Sequence, residues 1–392
     1  MQIEETLLGG LSPEAFLRDY WQKKPLLIRQ AIPGFESHYS PEELAGLSLE
    51  PDVESRLVIE KAGERPWQVI HGPQQEDTFL GLPDTHWTLL LQAVNQHDVD
   101  IASLFDLFAF IPAWRLDDIM ISYAPDQGSV GPHTDNYDVF LIQAHGKRHW
   151  QISNQTVSDE DLIPGIDMRI MQQFDMSKEW MLEPGDMLYL PPNVPHHGIA
   201  QGDCITYSIG FRAPDQNELL DEYILSRLKH IENNRRYSDA DLIPSANSGE
   251  LSSNSRQQLR KLLLDTLLLT DDALDQWLAE FVTEPVRGAG PEPVEPAVSE
   301  SELVELIKQS ETCYRSEQAR YCWYRDQAGQ LLAYADGERI TISKEAEEWF
   351  IRFADQRVFF QQELLEAAGS KHSLTLLCQL YNLGFLIFDS EL

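Results

Sequence analysis

His133, Thr134 and Asp135 form a His-x-Asp triplet, and a histidine pair, His196-His197, stands well downstream. On a β-strand, side chains two apart share a face, so His133 and Asp135 can reach one point in space while Thr134 turns away. A third ligand from a distant strand would set two imidazoles and one carboxylate on one side of a metal. The opposite coordination positions would stay open, the arrangement of non-haem Fe(II) oxygenases. His197 competes with His196, because neighbours on an extended chain point opposite ways, and parity alone does not choose between them.

Such a site needs strands to carry it. Ile119 to Ala124, Asp138 to Gln143, Arg148 to Ile152, Trp180 to Leu182, Met187 to Leu190 and Cys204 to Phe211 read as short strands. Glu183-Pro184-Gly185-Asp186 is a tight turn. Many strands joined by turns, without regular intervening helices, favour a barrel over a doubly wound sheet, here a double-stranded β-helix. The turn-rich Pro125 to Ser129 is expected at the barrel mouth, and Thr156 to Gln173 as a polar loop with one strand.

Upstream, Ser12-Pro13-Glu14 is a helix start, followed by Phe16, Leu17, Tyr20 and Trp21 at helical spacing. Lys23 to Arg29, Arg56 to Glu60 and Trp67 to Ile70 read as strands. Trp87, Leu90, Leu91 and Val94 predict one helix, and Ile101, Leu104, Phe105 and Phe108 another. Downstream, Leu220, Ile224, Leu228 and Ile231 form a helical stripe, and two more follow around Leu263 and Trp277. Three helices with so much apolar surface predict a dimer interface. Pro285 to Pro296 reads as a linker. Beyond it come a helix, a strand pair turning at Asp336-Gly337, three helices and a last strand, the order of a winged helix. Residues 299–392 hold nine Lys/Arg against sixteen Asp/Glu, so this wing is a poor DNA reader. The domains expected are 1–213 (catalytic), 214–284 (helical), 285–298 (linker) and 299–392 (winged helix).

The formal net charge is −34, which repels nucleic acid and steers a basic partner inward. Four scattered cysteines read as reduced thiols of a cytoplasmic protein. The acidic start at Met1 to Glu5 is unlike a signal peptide, and no run is long enough for a membrane helix.

The run from His133 through Gly146-Lys147-Arg148-His149-Trp150, Glu183 to Pro192 and Pro195-His196 to Tyr207-Ser208-Ile209-Gly210-Phe211-Arg212 resembles the bacterial JmjC (cupin-type) ribosomal oxygenases. The resemblance implies a mainly β chain with added helices (α+β), with a JmjC/cupin core, a helical dimerisation region and a C-terminal winged helix. It implies Fe(II) held by His133, Asp135 and His196, with 2-oxoglutarate and O2 as cosubstrates. It implies Arg148 as the cation for the far carboxylate of 2-oxoglutarate, a role a guanidinium fills with two hydrogen bonds. Lys147 is the alternative, since strand alternation turns only one of the two inward. Ser122, Tyr123, Thr206 and Ser208 are candidates for hydroxyl contacts, and Asp126 for accepting a substrate guanidinium. The implied activity is hydroxylation of an arginine, at C-3, of a basic large-subunit ribosomal protein by a cytoplasmic homodimer, with no nucleic-acid or membrane partner. A JmjC-type demethylase and a non-catalytic cupin-like binding protein are the alternatives.

Overall fold

The computed structural model describes residues 6–61, 67–231, 234–240, 242–243, 249–268, 270–285 and 290–389. The acidic start at 1–5 and parts of the Tyr237 to Ser253 loop and of the linker lie outside the described residues.

Helix α1 (Pro13–Asp19) starts as its residues dictate. The Ser12 hydroxyl accepts from the Ala15 N–H, and Pro13 opens the first turn. Phe16 points inward and meets Tyr189 and Phe140 at ring distances of 5.0 and 5.6 Å. Short helices α2 (Pro41–Leu47), α3 (Glu76–Leu80) and α4 (Val99–Ser103) complete the N-terminal layer.

The strands of the large sheet are β1 (Leu26–Ile28), β2 (Ser55–Glu60), β3 (Trp67–His71), β4 (Trp87–Leu91), β5 (Leu116–Ala124), β6 (Asp138–Ser153), β7 (Met176–Leu182), β8 (Met187–Leu190) and β9 (His196–Phe211). Their order is β1-β8-β6-β9-β5-β4-β2-β3, with β7 joined to β6. β6 and β9 form the spine: β6 pairs β8 along its first half and β7 along its second, while β9 follows both halves. Register shifts between Gln143 and Lys147 bend this ribbon. Phe16, Phe108, Phe140, Tyr189 and Phe211 are fully buried on one side of it. Each such side chain contributes about 1.5–3 kcal/mol of transfer free energy.

Two expectations are corrected. Trp87 to Leu91 is a strand, not a helix, paired to β2 and β5. Its leucines are buried on both faces of the sheet. A strand covered on both sides loses its alternation, and a continuous apolar run also satisfies helical spacing. In the Thr156 to Gln173 excursion the expected strand is replaced by single bridges, Leu162 to Met171 and His133 to Ile170.

Helices α5 (Gln216–Lys229), α6 (Ser253–Leu267) and α7 (Asp271–Thr283) follow. Arg227 Nε donates to the Thr266 carbonyl at 3.2 Å, tying α5 to α6, and Tyr223 packs edge-on against Trp277. Leu263 and Leu268 nevertheless stand 58% and 68% exposed. The C-terminal unit has its own core, with Phe350, Phe353 and Phe359 buried together. It comprises α8 (Glu300–Gln309), β10 (Thr312–Arg315), β11 (Tyr321–Arg325), β12 (Leu331–Ala335), β13 (Glu338–Ile340), α9 (Glu347–Asp355), β14 (Val358–Phe360), α10 (Gln361–Ala368), α11 (Lys371–Asn382) and β15 (Leu386–Phe388). Strands β14-β10-β15 and β11-β12-β13 make two small sheets, the second being the wing. Among the described residues no helix is long and apolar enough to cross a membrane.

Candidate metal centre

His133 bridges two segments: its backbone exchanges hydrogen bonds with His196, and it also pairs with Ile170. This locks the His-x-Asp triplet against the start of β9. The ligand atoms of His133, Asp135 and His196 all lie within 4.8 Å of one another. Asp135 Oδ2 is 3.5 Å from His196 Nε2, and Oδ1 is 3.9 Å from His133 Nε2. Both imidazoles are oriented the same way. Nδ1 of His133 donates to the Gly131 carbonyl and Nδ1 of His196 to the Val194 carbonyl, each at 2.9 Å. A carbonyl only accepts, so Nδ1 carries the proton and Nε2 keeps a lone pair facing Asp135. Burial, and then the neighbouring His133, push the His196 imidazole down to about 4, so it is neutral near pH 7. Imidazoles of fixed orientation beside a carboxylate are the donor set for a divalent transition metal. His197 turns away, with its Nε2 on the Ser129 hydroxyl at 3.0 Å and its ring against Phe174.

The trio opens into a cavity of about 570 Å³. Period two selects its walls: Asp118, Met120 and Ser122 from β5, Thr206, Ser208 and Gly210 from β9. Arg148 enters from β6 and is 3% exposed. Its Nη1 donates to the Ser122 hydroxyl at 3.2 Å and to Thr206 Oγ1 at 3.4 Å, and Nη2 to the Gly198 carbonyl at 3.4 Å. Its Nε has no hydrogen-bond partner among the described residues, and no carboxylate there pairs with it. The guanidinium lies over the Trp150 ring, 5.2 Å from its centroid. A Cβ on Gly198 would sit 2.8 Å from Arg148 Nε and from the Trp150 ring, so only glycine admits this approach. A buried cation without an acid is costly, and a carboxylate ligand relieves that cost. The cavity therefore fits both an ion on the trio and a dicarboxylate reaching Arg148.

Lys147 points the other way, paired to Glu183 at 2.6 Å. Ser122, Thr206 and Ser208 line the cavity. Tyr123 does not: strand parity puts its ring against Trp87 and its hydroxyl on Asp203 at 3.2 Å. Asp126 is also outside the lining, its Oδ1 accepting the Gly202 N–H at 2.8 Å. Sequence reasoning missed Asp118, Gln92, Trp150 and a rim of Leu162, Ile163 and Ile166 to Arg169, all of which line the cavity. Asp118 could have been found by counting back in twos from Ser122. Gln92 lies just past β4 and was hidden by the helix reading there.

A JmjC-domain family profile matches residues 103–219, a ROXA-like winged-helix profile residues 257–387, and an AraC-like ligand-binding-domain profile residues 173–280. The chain is 36% identical over 325 residues to the ribosomal protein uL16 3-hydroxylase of Escherichia coli (strain K12), covering 83% of this chain and 84% of that one. The chain belongs to the bacterial JmjC ribosomal oxygenases. This ribosomal oxygenase superposes on the crystal structure of E. coli YcfD with a TM-score of 0.83 at 33% identity, over 97% of this chain and 98% of that one. It also matches YcfD in complex with cobalt and 2-oxoglutarate, at a TM-score of 0.80 and 32% identity over the same shares. The double-stranded β-helix core and the winged helix are thus those of the family.

Proposed function

We propose that this chain is an Fe(II)/2-oxoglutarate-dependent hydroxylase of a large-subunit ribosomal protein of the uL16 type, modifying an arginine at C-3. One observation carries the reading: a His-Asp-His trio whose imidazole Nε2 atoms face the carboxylate shares a cavity with a buried arginine that has no acid partner among the described residues.

When bound, Fe(II) with 2-oxoglutarate and O2 supplies an oxidant able to hydroxylate an unactivated C–H bond. The protein does the rest. His133, Asp135 and His196 would hold the ion from one side and leave the cavity side open. Arg148 would clamp the far carboxylate of 2-oxoglutarate, with Ser122 and Thr206 holding the guanidinium in place. Trp150, Val139 and Leu141 line the same cavity and exclude water. Asp118, 8% exposed on the cavity wall, is the buried carboxylate suited to a substrate guanidinium, with Ser208 on the same wall. It takes the role that the sequence reading gave to Asp126.

The net charge of −34 supports a basic protein partner and argues against direct nucleic-acid binding. The exposed leucines of α5 and α6 support a homodimer through the helical region. Work on a ribosomal protein supports a cytoplasmic location.

The test is incubation of purified protein with Fe(II), 2-oxoglutarate, O2 and uL16, read by peptide mass. The reading expects a gain of one oxygen atom on an arginine, absent with His133→Ala. Formaldehyde release without stable oxygen gain would replace hydroxylation by demethylation. Identical spectra for wild type and His133→Ala would leave only a binding protein.

A further inference from the structure

Asp118 stands between two cavities. It lines the catalytic cavity, and it also lines a second, of about 50 Å³, between the β-core and the winged helix. Its neighbour Asp117 lines only the second of these two. The two acids sit in a bulge of β5: Leu116 pairs with Phe211 and Ile119 with Ile209, so Asp117 and Asp118 together face the single residue Gly210. Bulges beside active sites re-aim side chains. Here the space comes from Gly210, since a Cβ there would lie 3.3 Å from Asp118 Oδ1.

The bulge is gripped from both sides. On the core side, Asp118 Oδ2 accepts the Ala93 N–H at 3.1 Å, and Asn95 Oδ1 accepts the Ile119 N–H at 2.8 Å. On the other side, Arg320 reaches across from the segment leading into β11, and its Nη2 donates to Asp117 Oδ1 at 2.9 Å. Arg320 is largely buried there, and its Nη1 finds no hydrogen-bond partner among the described residues. A second interdomain pair, Arg357 Nη1 to Asp106 Oδ1 at 3.0 Å, lies outside the bulge.

We propose that Arg320 is a positioning residue for substrate: the winged helix, through the Arg320–Asp117 pair, holds the β5 bulge so that Asp118 presents its carboxylate to the substrate cation. The winged helix is then part of the substrate-recognition apparatus, although it contributes nothing to the cavity wall itself. This rests on the proposed arginine hydroxylation. It makes a separable demand, because Arg320 touches neither the metal trio nor Arg148. Loss of Arg320 frees the bulge to relax and leaves the cosubstrate site alone.

The experiment compares wild type, Arg320→Ala, Arg320→Lys and Asp106→Asn, with uL16 as substrate. For Arg320→Ala the inference expects KM for uL16 to rise roughly ten- to a hundredfold, the penalty of a misplaced contact. Mn(II) and 2-oxoglutarate affinities and the slow turnover of 2-oxoglutarate without uL16 should stay at wild-type levels. Arg320→Lys should recover most of the KM, and Asp106→Asn should keep it. If Arg320→Ala fails to fold, Asp117→Asn, which removes only the acid of the pair, takes its place. An unchanged KM in a folded variant overturns the inference, as does an equal defect in Asp106→Asn, which would make the effect one of docking in general. Wild type that binds Mn(II) and 2-oxoglutarate but never modifies uL16 overturns the hydroxylase reading instead.

Discussion

Replacing Arg148 by methionine should separate stability from cosubstrate binding. In the protein without ligand, the guanidinium makes three polar contacts of 3.2–3.4 Å, leaves Nε unpaired and has no acid partner among the described residues. Methionine of similar length removes that buried charge. Ser122 still donates to the Thr206 carbonyl at 3.3 Å, and Thr206 to Gln143 Oε1 at 3.1 Å, so neither hydroxyl is orphaned. The apo protein should keep its stability or gain up to about 2 kcal/mol, as when other buried charges give way to apolar side chains. Cosubstrate binding should move the other way. Two hydrogen bonds to a charged carboxylate are worth about 1.5–3 kcal/mol each, roughly 3–6 together. The 2-oxoglutarate Kd should therefore rise at least about a hundredfold. Calorimetric titration of the Mn(II)-loaded protein and denaturant melts of the metal-free protein read the two quantities. A Kd within threefold of wild type, or a metal-free protein destabilised by several kcal/mol, would show Arg148 to be an ordinary structural arginine.

Three further outcomes follow from the same geometry. Burial, and then His133, hold the His196 and His197 imidazoles down to about 4, against 6.5 when unfolded. Between those values the unfolded chain binds more protons, so metal-free stability should fall as pH drops from about 6.5 toward 4, by at most about 1.4 kcal/mol per unit per histidine; a flat melt profile across that window contradicts it. Gly198→Ala places a Cβ 2.8 Å from Arg148 Nε, and should weaken 2-oxoglutarate about tenfold while sparing Mn(II); unchanged affinity would mean that Arg148 is not held as described. Leu263→Glu on the exposed face of α6 should halve the mass seen by sedimentation without changing the circular dichroism, whereas wild type that sediments as a monomer removes the dimer.

Much of the site could be read because its geometry is local. Period two relates His133 to Asp135, and the same rule sets Arg148 against Lys147. The choice between His196 and His197 depended on the corner after Pro195, whose shape comes from the backbone bonds joining His133 to His196. Strand parity turns Tyr123 away from the cavity that Ser122 lines, and the loop after β5 carries Asp126 outside that lining, onto the Gly202 N–H. The winged-helix order was legible from its helix and strand punctuation. Trp87 to Leu91 was not, because a strand buried on both faces carries no alternation. That error hid Gln92 and the cavity wall on its side. Asp118 shares the parity of Ser122, but which face of β5 lines the cavity is set by its pairing with β9, where Gly210 leaves room for the carboxylate.

The central claim is that one ion sits on His133, Asp135 and His196 and faces the Arg148 cavity. Electron paramagnetic resonance of Mn(II) titrated into the metal-free protein tests it most directly. The account predicts one Mn(II) per wild-type chain, with a spectrum that changes when 2-oxoglutarate is added. Asp135→Ala should bind no ion, and Arg148→Met should bind it without responding to 2-oxoglutarate at the concentration that saturates wild type. Wild-type binding that survives Asp135→Ala, or a spectrum indifferent to 2-oxoglutarate in the wild type, would contradict it.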